Sequence, residues 1–427
     1  MRLGFARKDI TPDFPVPLAG YYQPGRISQD VHDKLYARSL YFEDQKNGPL
    51  ALLQLDLLEL DNTVLEKIYT ELNKTLPELK KNRILVCAAH THSGFGGIYD
   101  TEQGINHELI PLMGEHNPDL VKLVVDKSVE AIVEAGKNCI ETTVRINRGK
   151  VEKLGTNRRN VDLSCDNSLF IMEFYRIDRK KILLYNLCCH ATVLNKENTL
   201  LSADFPGAVA GKLEEIPGGY DMVVFINGSA GDMSTRFTRQ DSNFEECNRY
   251  ANIIIEALEG VKKGVFLPLE KADLQYHAVS LKKAMPPDAQ KARENLQNAV
   301  KNLEELQSQN ADTAVLRKAA SLIEGAQMSL LKLNVEDTAE SAGSIDFETG
   351  ILKINNTTIV CSPLELFSTL ALSIKEKKDV ECFGYANCLK GYLADDDAWT
   401  QLDYEALSSD FMRGEGERYI ELVTALV

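Results

Sequence analysis

Two of the seven histidines in this chain stand two residues apart, His90 and His92, in the stretch "ILVCAAHTHSGFGG". They follow an apolar run and precede a turn that holds Gly94 and two further glycines. Side chains at i and i+2 of an extended segment face the same side. Two imidazoles placed so can share a metal ion, or one can bind while the other moves a proton. The glycines let backbone approach a ligand closely. His190 ends a second apolar run, "ILLYNLCCHATVL", and "LLSADFPG" with Asp204 follows it. A catalytic zinc takes roughly three protein ligands from His, Asp, Glu or Cys and keeps a position open. Asp204 is a candidate partner for a ligand histidine.

Three more stretches have chemical potential. "DMVVFINGSAGDMSTRFTR" runs from an apolar strand into a Gly/Ser/Asp turn suited to binding an anion or oxyanion through backbone N–H groups. Ser229 or Ser234 there is a possible nucleophile, although no GxSxG elbow surrounds either. In "KLGTNRRNVD", Arg158 and Arg159 follow a turn, and a guanidinium can polarise a carbonyl or hold a carboxylate. Glu365, in "CSPLELFS", lies between a β-branched run and an apolar helical pattern. A carboxylate there is either a helix-start charge or a ligand.

These residues need a frame. Up to about residue 275, β-rich runs such as "PLALLQLDLLEL", "RILVCAAH", "SLFIMEFYRI" and "DMVVFING" alternate with helical patterns. That alternation predicts an α/β layered domain. Residues 169–176 and 182–189 flank a short polar turn and read as a hairpin, so the sheets are expected to be mixed, with helices flanking them. Residues 286–335 are rich in Ala, Leu, Glu, Lys and Gln, with Leu and Ala at three- and four-residue spacing. They predict an inserted helical hairpin broken near "SQNAD", either an interaction element or a cover for a sheet edge. "CFGYANCLKGYLADDDAWTQLDYE" reads as a strand and loop. One domain over 1–427 carrying the 286–335 insertion is the expected organisation.

The 427 residues are 44% hydrophobic and 26% charged, with a formal net charge of −15. An acidic surface repels phosphate backbones, which argues against nucleic acid as a partner. No apolar stretch is long enough to insert in a membrane, and no secretory signal is visible. Nine scattered cysteines without a CxxC suggest a reduced, cytoplasmic protein. Neither a dinucleotide fingerprint nor a P-loop is present. The expected partner is a small-molecule substrate, with a homo-oligomer left open.

Taken in order, these stretches resemble the neutral/alkaline non-lysosomal ceramidase family. "AAHTHSGFGG" is similar to that family's HTHSGPGG signature, with Phe95 in place of a proline. "GFARKDITP", "LGTNRRN", "CCHATVL…SADFPG", "NGSAGDMST", "SPLELF" and "YANCLKGYLADD" resemble its other blocks, and the likeness spans nearly the whole chain outside 286–335. The resemblance implies one zinc ion per chain, held by His90, His190, Glu365 and Tyr392. It implies that His92 acts beside the metal as base or oxyanion partner, with Arg158 and Ser234 in the catalytic group, Ser234 being chemical or positional. Leu389 replaces the first tyrosine of the family's Ala-Asn-x-Tyr-x-x-Tyr stretch, which leaves Tyr392 as the tyrosine of that pair in this chain. Thr235 and Arg236 replace a Pro-Asn pair. The family's longer members append a C-terminal β-sandwich, which we expect to be missing here. Arg236 and Arg239 then suggest a small, polar or anionic substrate, with Arg236, Gly94 and Asp204 around it. The expected activity is zinc-dependent hydrolysis of an amide. The alternatives are a zinc lactonase or esterase, and a non-catalytic metal-binding or interaction protein.

Overall fold

The computed structural model describes residues 1–100, 110–285, 288–333 and 343–427. The main sheet contains β1 (Arg2–Asp9), β2 (Tyr36–Glu43), β3 (Leu50–Leu55), β4 (Ile84–Ala88), β5 (Ile140–Lys150), β6 (Ser168–Arg176), β7 (Lys181–Leu187) and β8 (Met222–Asn227). Their spatial order is β8-β7-β6-β5-β1-β2-β3-β4. The β3–β4 and β7–β8 pairs are parallel, whereas β6 and β7 form the antiparallel hairpin expected from their polar turn. A second sheet holds β9 (Ala272–Lys282), β10 (Ser344–Ile354), β11 (Thr357–Cys361) and β12 (Val380–Phe383), in that order.

Strands β3, β4, β7 and β8 are buried along almost their whole length because both of their faces are covered. Along β3, Ala51, Leu53 and Leu55 point to α1 (Asn62–Thr75) and α2 (Pro118–Lys137), while Leu50 and Leu52 point the other way. The second set meets Leu352, Ile359 and Phe383 of the second sheet. Side chains of α3 (Asp204–Glu215) and α4 (Phe244–Val261) cover β6–β8. On its outer face the second sheet packs against α7 (Ser368–Lys377) and α9 (Glu415–Leu426). The result is four layers, helices–sheet–sheet–helices, the mixed α/β class expected from the alternating pattern. Each fully buried Leu, Val or Phe contributes roughly 1.5–3 kcal/mol, so the sheet-to-sheet contact is a large share of the stability.

Between β9 and β10 run α5 (Ala289–Ser308) and α6 (Thr313–Leu331), with the chain turning over 309–312. Positions 286–287 and 334–335, at the ends of the expected insertion, lie outside the described residues. The buried face of α6 is made of small residues, Ala319, Ser321, Gly325, Ala326 and Ser329. It lies against α8 (Tyr404–Ser408) rather than a sheet edge: a Cβ on Gly325 would stand 2.9 Å from the Tyr404 Cα. The segment around α8, expected to be loop, forms two short helices, Asp396–Gln401 and α8. Asp395 caps the first by accepting from the Ala398 N–H. What reads as an acidic run is thus partly helix-capping chemistry.

Candidate active site

The carboxyl ends of β4 and β7 approach each other although the two strands are far apart in the order of the main sheet. Thr91 bridges Ala191, and the His92 N–H donates to the Ala191 carbonyl at 3.3 Å. Asn227, fully buried at the end of β8, donates to the Cys189 and Ala89 carbonyls at 3.0 and 3.4 Å. The sheet curls, and three strand ends deliver their loops to one point.

His90 and His92 arrive there by a different route from the extended one expected. β4 stops at Ala88, and His90 has φ +63°, in the left-handed region that costs a β-carbon residue energy. Hydrogen bonds hold it: its N–H donates to the Leu57 carbonyl at 2.9 Å, and its Nδ1 lies 3.0 Å from the Leu58 carbonyl. His190 Nδ1 lies 2.8 and 3.0 Å from the Ala230 and Met233 carbonyls. Carbonyl partners require a proton on Nδ1, which leaves the Nε2 lone pairs of both rings pointing inward. His90 Nε2 is 3.4 Å from His92 Nε2, and ring nitrogens of all three histidines fall within 4.8 Å of one another.

Glu365 completes the group. It pairs in parallel register with Tyr392, in a two-residue ladder beside the second sheet. Its Oε2 stands 3.3 Å from His90 Nε2 and 3.2 Å from His190 Nε2, is buried, and has no hydrogen-bond partner. Four tetrahedral ligands at zinc bond lengths of about 2.0–2.1 Å stand about 3.3 Å apart. The donors are therefore spaced as ligands of one small cation, and an orphaned buried carboxylate oxygen is what such a cation would satisfy. The residues fit a metal ion. Gly231 makes the approach possible, because a Cβ there would lie 2.4 Å from the Glu365 carbonyl oxygen.

Arg158 lies behind this group. Its Nε contacts Glu405 at 2.5 Å, its Nη1 lies 3.2 Å from His190 Nε2, and its Nη2 donates to the Tyr392 hydroxyl at 3.0 Å. Burial and Arg158 lower His190 to about 4. Burial, with the other two histidines, holds His92 well below the usual imidazole range, so it is a neutral ring able to accept a proton. His92 Nδ1 has no partner, and Gly20, at φ +97°, gives it room: a Cβ there would stand 2.5 Å away. A cavity of about 370 Å³ opens on His90, His92, Glu365 and Tyr392, and Tyr404, Glu59 and Met328 of α6 also line it.

The other expected residues lie elsewhere. Among the described residues Asp204 makes no hydrogen bond to an imidazole; it accepts from the N–H groups of Val193, Leu194 and Phe205, and so organises the loop after His190. The histidine partners are backbone carbonyls instead. Ser234 Oγ accepts the Arg236 N–H at 3.2 Å, while Ser229 Oγ is buried without a partner. Gly94 is packed under the histidine turn, its carbonyl taken by the Ala19 N–H. Arg159 is tied to Asp403, Asp397 and Asp395. Sequence reasoning missed Glu405, Asn227, Tyr404 and Tyr385. Tyr385 stacks on His90 with ring centroids 4.1 Å apart, and its hydroxyl is buried without a partner.

A family model described as neutral/alkaline non-lysosomal ceramidase, N-terminal, matches residues 1–257. The chain is similar to the neutral ceramidase of Drosophila melanogaster, 23% identical over 252 residues, covering 55% of this chain and 36% of that protein. Neutral ceramidase 3 of Arabidopsis thaliana is 27% identical over 158 residues, covering 36% of this chain and 21% of that protein. The matched segments thus span about a third or less of these curated relatives. The crystal structure of neutral ceramidase from Pseudomonas aeruginosa shares the fold, with a TM-score of 0.75 at 16% identity, over 99% of this chain and 73% of that one. Glu365, Tyr392 and the α5–α6 arm lie beyond the family-model match but within a chain that the structural match covers almost entirely.

Proposed function

The chain belongs to the neutral/alkaline non-lysosomal ceramidase family, and from that premise we propose that it is a zinc-dependent hydrolase cleaving an amide bond in a small polar substrate. One observation carries the reading: the buried Glu365 Oε2, with no hydrogen-bond partner, faces two imidazole Nε2 atoms at 3.2–3.3 Å. His90, His190 and Glu365 would hold the ion, with Tyr392 beside them. A zinc ion there supplies Lewis acidity, which makes water acidic near neutral pH and polarises an amide carbonyl.

The chain's own residues do the rest. His92 Nε2 faces the donor group as a neutral base; it takes the proton of the attacking water and returns it to the leaving nitrogen. Arg158, anchored by Glu405 and donating to the Tyr392 hydroxyl, sets a positive charge behind the donor group that favours a tetrahedral oxyanion in front of it. Leu57 and Leu58 carbonyls fix His90, and Ala230 and Met233 carbonyls fix His190, so ligand geometry is set before substrate arrives. The cavity of about 370 Å³ lies near the small end of ligand pockets, which suits a compact substrate.

The test is elemental analysis of purified protein beside its His90→Ala variant, followed by turnover of matched amides and lactones. About one zinc per chain, lost in the variant, with amides preferred, is the expected result. Protein that holds no metal and takes none up when zinc is added would sink the reading.

A further inference from the structure

α6 does more than cover α8. Arg317, on α6, donates from Nη1 to the Arg236 carbonyl at 3.3 Å. Arg236 in turn donates from Nη1 to the Arg158 carbonyl at 2.8 Å. Arg239 donates from Nη1 to the Thr192 carbonyl, and its Nε is buried without a partner. Three half-buried guanidiniums are thus tied to backbone carbonyls, one of them that of Arg158 itself. Each spends one nitrogen on a backbone carbonyl, and a guanidinium has five N–H donors to place. Among the described residues none of the three forms an ion pair, whereas Arg158 has Glu405 and Arg159 has three aspartates.

What the three lack is a direct partner. Burial and Arg158 lower Arg236 to about 10, and burial with Arg239 lowers Arg317. Carboxylates act on them through space: Glu405 and Glu324 on Arg236, and Asp312 and Asp241 on Arg317; burial pushes Glu324 up while Lys196, Arg236 and Arg158 pull it down. None of these carboxylates comes within ion-pair distance of the three arginines among the described residues. Desolvated cations without a directly contacting counter-charge are costly unless an anion answers them. The lining of the cavity carries Glu59, Asp61 and Asp410 with Lys390. An anionic group is disfavoured beside those carboxylates.

We propose that Arg236, Arg239 and Arg317 form an anion subsite next to Arg158, so that the substrate is an amide carrying a carboxylate, phosphate or sulfate. The proposal rests on the hydrolase reading for the amide, and it makes the α5–α6 arm the element that selects the substrate. Arg317 is a specificity residue contributed by the arm.

The experiment uses the metal-loaded full-length chain and three series of acylated amines with short, medium and long acyl groups: N-acylglycines, N-acylglycinamides and N-acylethylenediamines. Kd is measured by titration calorimetry and kcat/KM by amine release. The anionic series should bind roughly 10- to 100-fold more tightly than the neutral one, as expected for charge-assisted hydrogen bonds. Arg317→Gln and Arg239→Gln should each narrow that gap, through KM rather than kcat. In the wild type, inorganic phosphate should compete with the acylglycines and leave the glycinamides untouched, a measurement that stands even if a variant fails to fold. Equal affinity for the anionic and neutral series overturns the subsite, as does failure of phosphate to compete. Selective binding of the anionic series without turnover of any amide would keep the subsite and remove the hydrolase reading. Equal turnover of all three series would do the reverse.

Discussion

His92 and His90 occupy one turn, yet their surroundings divide them. His90 is pinned through both its backbone and its Nδ1, while His92 keeps an unpartnered Nδ1 and contacts the Tyr21 ring at 4.9 Å. A pinned ring suits a ligand, and a ring with a spare nitrogen suits a proton carrier. His92→Ala should therefore retain metal by elemental analysis while turnover falls by roughly 10²–10⁴-fold, the usual worth of a general base. A variant with undiminished turnover would assign proton transfer to another group. At this scale the sequence was readable wherever an apolar strand broke off at a polar residue, as at His90, His190 and the 228–234 turn. It was silent on Glu405 and Tyr385. Glu405 follows several aspartates and is distinguished only by touching Arg158 across 247 positions. Asp204, placed between two candidate stretches, read as a histidine partner, but free backbone N–H groups nearby claim its carboxylate.

The elements show how a loop becomes a support. Between β8 and α7, Asp232 is fully buried; it accepts from the Ser368 N–H at 2.6 Å and the Asn157 side chain at 2.9 Å. Burial nevertheless raises it from 3.8 to about 7. A carboxyl whose pKa is higher folded than unfolded favours the folded state at low pH and loses that contribution as pH rises through 4 to 7. Asp232→Asn has no such titration, so its stability deficit relative to wild type should shrink over that window. Denaturant melts of both proteins at pH 4.5 and pH 7 would check this, and a deficit that grows with pH would show the carboxylate to be stabilised rather than strained. Among the elements, the mixed main sheet and the 169–189 hairpin could be read from alternation and turn chemistry. The helices at 396–401 and 404–408 could not, because five or six residues are too few for a 3.6-residue period to show.

For the whole molecule the deciding feature is that the donor group straddles two sheets. The histidines end strands of the first, and Glu365 and Tyr392 flank the second. Phe383 of β12 is fully buried between the sheets, its ring 6.5 Å from that of Phe170 on β6. Phe383→Ala should cost about 3–5 kcal/mol in a denaturant melt. It should also weaken metal binding in a calorimetric titration, because the two halves of the site are then seated less firmly. Unchanged metal affinity in the weakened protein would mean that the loops hold the site without the sheets. No helix among the described residues is long and apolar enough to cross a membrane. The straddling arrangement also bears on how the chain is made. Synthesis delivers His90, His92 and His190 long before Glu365 and Tyr392, and the residues between them include the whole arm. A ribosome-bound chain therefore presents imidazoles without their carboxylate. On the proposed reading, tight metal capture would wait until the second sheet has docked, and reactivity would be the last property acquired on the way to the folded state.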